Sequence, residues 1–182
     1  MTDLIETVLP DVVEQARQVQ LLSLDVDGVL TDGHLYYSED GSETKTFSTQ
    51  DGAAVKMLID AGMPVAIITG RTSTLVARRA AELGIEHLYQ GAADKTQALA
   101  ELASKTGIDT QRMAHAGDDL PDLPLFNRVG FRVSVPGAHP LILERADYVT
   151  HAPAGLGAVR ELCQLLLEAR GDWQTALAKY DR

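Results

Sequence analysis

Residues 21–33 are an apolar run that breaks off into carboxylates: Leu-Leu-Ser-Leu-Asp-Val-Asp-Gly-Val-Leu-Thr-Asp-Gly. The part at 20–26 is too short for a helix and reads as a buried parallel strand. Side chains two apart on a strand point the same way, so this reading puts Asp25 and Asp27 on one face at its C-terminal end. Ligands of open α/β sheets bind at that edge. Two carboxylates about 4 Å apart repel by roughly 4 kcal/mol at an effective dielectric of about 20. A bound cation, a shared proton or a chemical task offsets such a cost. For Asp-x-Asp-Gly alone, a solvated turn is the plain alternative.

Beyond this stretch strand and helix alternate. Residues 4–19 carry apolar side chains at helical spacing, giving an N-terminal helical segment at 1–19 that Pro10 breaks or offsets. A β-hairpin is expected at 33–48, turning at Glu39-Asp40-Gly41-Ser42. Asp51 opens a helix ending at Gly62, and 64–69 reads as a strand. Later strands fall at His87–Tyr89, Met113–Ala116, 130–135 and Tyr148–Val149. Helices are expected at 73–83, Lys95–Thr106, 139–145 and 157–170. This rhythm predicts a single α/β domain over 1–182, Rossmann-like, with a mostly parallel sheet and helices on both faces. Residues 172–182, with Trp173 and Tyr180, read as a tail outside that sandwich.

Composition narrows the function. Hydrophobic residues at 45% and charged residues at 23% are those of a soluble globular protein. No apolar run approaches the roughly 18 residues that span a membrane. The N-terminus lacks a basic start followed by an apolar stretch, so a cytoplasmic protein with no membrane partner is expected. A net charge of −10 makes nucleic acid a poor partner and leaves any phosphate site dependent on local cations. Cys163 is the only cysteine, so it forms no internal disulfide. Within Leu-Cys-Gln-Leu-Leu-Leu it reads as helix packing rather than as a nucleophile.

Three further constellations sit at expected strand ends. Thr69-Gly70-Arg71 offers a hydroxyl and turn N–H groups suited to a phosphate oxygen, or equally a helix cap. Lys95 opens a helix, where a cation is unfavourable unless it is solvated or held by nearby anions. Gly117-Asp118-Asp119-Leu120-Pro121-Asp122 crowds three acids into five residues, more than helix capping explains. Gathered at one edge, the carboxylates ask for a hard cation with oxygen ligands, Mg²⁺ being the natural choice. Lys95 and the Thr69 hydroxyl would complete a cradle for a phosphoryl group.

The order Asp-x-Asp-Gly-Val-Leu-Thr-Asp-Gly, Thr-Gly-Arg, Lys and Gly-Asp-Asp-x-x-Asp resembles the haloacid dehalogenase-like phosphohydrolases. More narrowly the chain is similar to the 3-deoxy-D-manno-octulosonate 8-phosphate phosphatases over nearly everything after residue 20. That likeness includes Leu88-Tyr89-Gln90-Gly91, Ala146-Asp147-Tyr148-Val149-Thr150 and Gly157-Ala158-Val159-Arg160-Glu161. The resemblance implies Asp25 as nucleophile through an aspartyl-phosphate, and Asp27 as the acid and base that serves leaving group and water. It implies Mg²⁺ on Asp25, the Asp27 carbonyl and Asp118, with Asp119 and Asp122 around it. Thr69 and Lys95 would stabilise the phosphoryl oxygens.

For the carboxylate of a sugar-acid phosphate, Arg71, Arg79 and Lys56 are candidates. Ser48, Thr49, Gln50, Asp51 and Gly52 lie where the family binds substrate through a similar loop. Arg71 favours the eight-carbon acid; a sister group acting on a nine-carbon 9-phosphate tends to have glutamate there. The family commonly reads Arg-x-Gly-Gly-x-Gly-Ala before its last helix, whereas here Ala152 and Leu156 replace the basic positions. The hairpin stands in place of a cap domain, being too small to bury a core. Neighbouring subunits are therefore expected to cover each site through hairpins and tails, in the homotetramer that the resemblance implies. The rivals are an open monomer, a phosphoryl-accepting receiver module, and an inactive oligomerisation scaffold.

Overall fold

The structure is a computed structural model that describes residues 4–180. Residues 1–3 of the expected N-terminal segment and 181–182 of the expected tail lie outside the described residues. Pro10 starts a helix rather than interrupting one. Leu4–Glu6 is a 3₁₀ turn, and α1 (Pro10–Gln18) holds Pro10 in its first turn, where a missing N–H costs no hydrogen bond. β1 (Leu21–Leu24) is shorter than the 20–26 expected. The strand stops because Gly28, at φ 89°, lets Val26–Leu30 close into a wide helical turn. Asp27 therefore lies off the strand, and two-residue alternation is not what aims it.

The hairpin forms from β2 (Tyr36–Tyr37) and β3 (Glu43–Thr44), antiparallel and two residues per strand. α2 (Thr49–Asp60) begins ahead of Asp51 because the Ser48 hydroxyl accepts the Asp51 N–H at 3.2 Å and caps the helix. Then come β4 (Val65–Ile68), α3 (Thr74–Leu83), β5 (His87–Tyr89), α4 (Lys95–Thr106) and β6 (Met113–Ala116). They are followed by α5 (Leu123–Phe126), β7 (Phe131–Ser134), α6 (Pro140–Arg145), β8 (Tyr148–Val149) and α7 (Ala158–Arg170).

The main sheet is parallel throughout, in the order β5-β4-β1-β6-β7-β8. β1 is central and buried on both faces. Leu22 and Leu24 pack into a core shared with α1, α2, α3 and α7, and Leu21 packs into a second one with α4 and α5. Cys163 is buried on α7, where burial pushes its thiol far above the ordinary range, in line with packing. No helix among the described residues is long and apolar enough to cross a membrane.

The tail departs from expectation. α8 (Trp173–Leu177) folds back on α7, and Trp173 and Ala176 join the first core. The Arg160 guanidinium lies 5.8 Å from the Trp173 ring centre, and Lys179 pairs with Asp60 at 2.7 Å. Asp60 ends α2 just before β4 begins, so the tail closes the edge where strands start, opposite the Asp25 edge. Its described residues are used within their own chain and do not form a free arm. Trp173→Ala should cost about 3 kcal/mol in a urea melt, within the range for buried aromatics; a loss under about 0.5 kcal/mol would mean the tail is not docked.

Candidate active site

The strand ends and the first turn of α4 enclose one open cleft, whose wall includes Asp25, Asp27, Thr69, Arg71, Lys95 and Asp118. Lys95 occupies the first position of α4, behind the Asp94 cap, whose carboxylate accepts the Thr96 N–H at 2.9 Å. The solvated alternative fails there, because Lys95 is only 5% exposed. Its ammonium is held by Asp25 Oδ2 at 2.8 Å and Asp122 Oδ1 at 2.6 Å. Burial opposes its charge, but the two carboxylates outweigh that and raise its pKa.

Asp122 is wholly buried and saturated. Oδ1 accepts Lys95 and lies 3.1 Å from His115 Nε2, while Oδ2 accepts the N–H groups of Asp118 and Asp119 at 3.1 and 3.4 Å. Burial alone would raise its pKa; the bonds and charges of His115 and Lys95 prevail and hold it at about 2. Asp122 is thus a brace for its loop, with little capacity left for a cation. Asp25 and Asp118 are the opposite case. Burial, then the charge of Asp122, raises Asp25 despite Lys95. Burial, then the charges of Asp25, Asp122 and Asp119, raises Asp118 to about 7.

Carboxylate oxygens of Asp25, Asp118 and Asp122 lie within 4.8 Å of one another. Crowded anions with one ammonium between them are short of positive charge, and hard oxygen donors fit Mg²⁺. The turn after β1 is shaped to that cluster: a Cβ on Gly28 would stand 2.0 Å from Asp118 Oδ2. Asp119 stays at the rim, its Oδ1 accepting the Leu120 N–H at 2.8 Å.

Asp27 faces a different wall. Lys45 pairs with its Oδ1, and Arg71 Nε stands 3.6 Å from Oδ2. The Lys45 side chain is 2% exposed and also reaches Glu43 at 3.7 Å. Arg71 donates to Glu43 Oε1 at 2.7 Å and to the Tyr37 hydroxyl at 3.5 Å. The hairpin therefore supplies cleft-side chemistry that sequence reasoning missed. A signal existed: Glu43 and Lys45 flank Thr44 at strand spacing, so both turn toward one side.

Other expected substrate contacts are not brought to this cleft. Ser48 caps α2, and Asp51 is buried, accepting the Arg160 N–H at 2.7 Å and so tying α2 to α7. Arg79 donates to the Ser48 carbonyl at 3.2 Å, lies 5.9 Å from the Phe47 ring centre and pairs with Glu82 at 3.4 Å. A Cβ at Gly52 would stand 2.1 Å from Arg79 Nη2, so that glycine makes room for the arginine. Thr49, Gln50 and Lys56 are exposed on α2 and do not line the cleft. The segment with Ala152 and Leu156 packs against the turn after β1, where the Gly155 N–H donates to the Val29 carbonyl at 3.1 Å; Leu156 is exposed.

Residues 86–161 match a sequence model of haloacid dehalogenase-like hydrolases. The chain is 49% identical over 164 residues to the 3-deoxy-D-manno-octulosonate 8-phosphate phosphatase of Salmonella typhimurium, covering 90% of this chain and 87% of that one. Its Escherichia coli K12 counterpart is 48% identical over 161 residues, 88% and 86% covered. Among solved structures, the Moraxella catarrhalis phosphatase of that name, in complex with a magnesium ion, a phosphate ion and a KDO molecule, has a TM-score of 0.92 at 42% identity. That alignment covers 95% of this chain and 99% of the other. The Yersinia pestis enzyme gives 0.90 at 45% identity, with 92% and 90% covered.

The raised Asp118 pKa fixes the sign of a cation test. A carboxyl raised above its unfolded value stabilises the fold at low pH and loses that contribution as pH rises through about 7. Cation-free protein should melt lower at pH 8 than at pH 6, with Mg²⁺ restoring more at pH 8. Gly28→Ala should remove the Mg²⁺ response, by pushing Asp118 aside. An equal Mg²⁺ shift at both pH values, or one retained in Gly28→Ala, would overturn the assignment.

Proposed function

The chain belongs to the 3-deoxy-D-manno-octulosonate 8-phosphate phosphatase family of haloacid dehalogenase-like hydrolases, and from that premise we propose that it removes the phosphate of this sugar acid. The product would be the free acid, an intermediate of lipopolysaccharide precursor synthesis in the cytoplasm. The observation that carries the reading is the Asp25–Lys95–Asp122 brace at a cleft whose wall also holds Thr69 and Arg71.

On this reading a carboxylate oxygen of Asp25 attacks phosphorus as the bond to the sugar oxygen breaks, and Asp27 gives its proton to that alkoxide. Asp27 then takes a proton from water, which attacks the aspartyl-phosphate and frees phosphate and Asp25. Val26 supports the nucleophile by donating its N–H to Oδ1 at 2.7 Å. Lys95 and the Thr69 hydroxyl hold phosphoryl oxygens where transition-state charge gathers. Lys45 keeps the Asp27 carboxylate in one orientation. Asp25, Asp118 and the Asp27 carbonyl would hold Mg²⁺, which supplies the positive charge this acidic cluster needs beside a phosphate dianion.

Arg71 is the arginine that lines the cleft and is the candidate for the substrate's own carboxylate; Arg79 is engaged in holding residues 47–52, and Lys56 does not line the cleft. A cover from neighbouring subunits in a homotetramer is supported by the hairpin, which exposes Leu35, Tyr36 and Tyr37 beside the cleft. Residues 48–52 would serve substrate only across such an interface.

Phosphate release, with Mg²⁺ and with chelator, is the test, using the octulosonate 8-phosphate, a nine-carbon 9-phosphate and ordinary sugar phosphates. A strong Mg²⁺-dependent preference for the eight-carbon acid is expected. Asp25→Asn should lose at least about a thousandfold in kcat with its melting temperature intact. Arg71→Ala should raise KM for the sugar acid about 10- to 100-fold, the range for a lost charged hydrogen-bond pair. Ordinary esters should change little in that variant. Turnover surviving in Asp25→Asn would remove the mechanism, and equal slow turnover of every ester would remove the substrate.

A further inference from the structure

Behind the cleft, on the α4–α5 face of the sheet, lies a polar pair that the chemistry above does not use. Ser23 of β1 and His115 of β6 are direct register partners in the parallel ladder, and both are fully buried. Their surroundings are apolar, with Leu21, Ile68, Leu99 and Met113 in the same core. Burying polar groups there is costly unless each is hydrogen-bonded, and both are. Ser23 Oγ lies 2.9 Å from His115 Nδ1 and 3.0 Å from the Ala114 carbonyl. His115 Nε2 lies 3.1 Å from Asp122 Oδ1, and the ring meets Phe126 edge-on at 6.2 Å. An ionised carboxylate only accepts, so the Nε2 proton points at Asp122. The oxygen it reaches is the one that receives Lys95 at 2.6 Å.

We propose that Ser23 and His115 are positioning residues of the phosphatase site, setting through Asp122 where the Lys95 ammonium stands against Asp25 and the phosphoryl group. The inference rests on the phosphatase reading. Asp122 Oδ2 is fixed by the loop N–H groups, and His115 is what fixes Oδ1 apart from Lys95 itself. Without the ring's donor, the carboxylate pivots on Oδ2 and the ammonium follows it. Lys95 meets the most charge in the transition state, so displacement lowers kcat and leaves substrate binding nearly unchanged. Ser23 acts one step further back by holding the ring in plane with its target.

The experiment compares wild type with His115→Phe, which keeps an aromatic ring but has no donor, and His115→Gln, whose amide N–H reaches about as far as Nε2. His115→Phe should lose about 10- to 100-fold in kcat, the scale for a reacting group misplaced by about an ångström, with KM within about threefold. His115→Gln should recover to within about threefold of wild type. Ser23→Ala, which removes a single hydroxyl, tests the same point if His115→Phe fails to fold; its kcat should fall about threefold or more at constant KM. A folded His115→Phe or Ser23→Ala with wild-type kcat, a matching rise in KM, or a His115→Gln no better than His115→Phe overturns the proposal. Wild-type protein that releases no phosphate from any ester refutes the phosphatase reading instead. A substrate-free readout separates the two: the ¹⁵N signal of the buried Lys95 ammonium should shift in His115→Phe and return in His115→Gln, and an unmoved signal overturns the positioning role.

Discussion

One buried ammonium holds this molecule's working edge together. Lys95 arrives on α4, Asp25 at the end of β1 and Asp122 after β6, and their contacts join three distant parts of the chain. Removing one partner from such a buried ionic group typically costs about 3–5 kcal/mol, because the others are left uncompensated. The sheet order follows that requirement: β1 lies between β4 and β6, so the ends that carry Asp25, Thr69 and Asp118 are neighbours. The same cluster is short of positive charge, and burial adds to that: Asp118 is raised while the saturated Asp122 is held low.

Much of this was legible in the chain. β5, α4, β6 and β8 fall within the ranges that the alternation of strand and helix patterns gives them. The acidic residues and Lys95 were readable because charges at the ends of apolar strands have few structural reasons to be there. What failed depended on contacts between distant residues. The left-handed backbone at Gly28 takes Asp27 off the strand, and periodicity carries no trace of that turn. Lys45 went unmarked within the expected hairpin, since its partner Asp27 lies 18 residues earlier. The hold of chain backbone on Arg79 and Asp51 likewise leaves no mark in local pattern, because its partners are 31 and 109 residues away. Trp173 read as tail because only the packed α7 gives it a surface to cover.

The hairpin shows how a very small element serves two tasks. Lys45, Glu43 and the Tyr37 hydroxyl meet the residues of the cleft side, while Leu35 and Tyr36 stay in water. Two residues per strand cannot stabilise such an element alone. Its ion pairs with Asp27 and Arg71 moor it to the sheet, so the side chains that line the cleft also keep the exposed face in place.

Arg71 carries a consequence of another kind. Its guanidinium is already matched by Glu43 at 2.7 Å. On the proposed reading an incoming sugar-acid carboxylate would share that guanidinium with Glu43, using the N–H groups that Glu43 leaves free. An internal anion on the same cation would weaken the hold on the phosphorylated acid and on the dephosphorylated one alike, since both bear the same carboxylate. The pair would then favour turnover over retention.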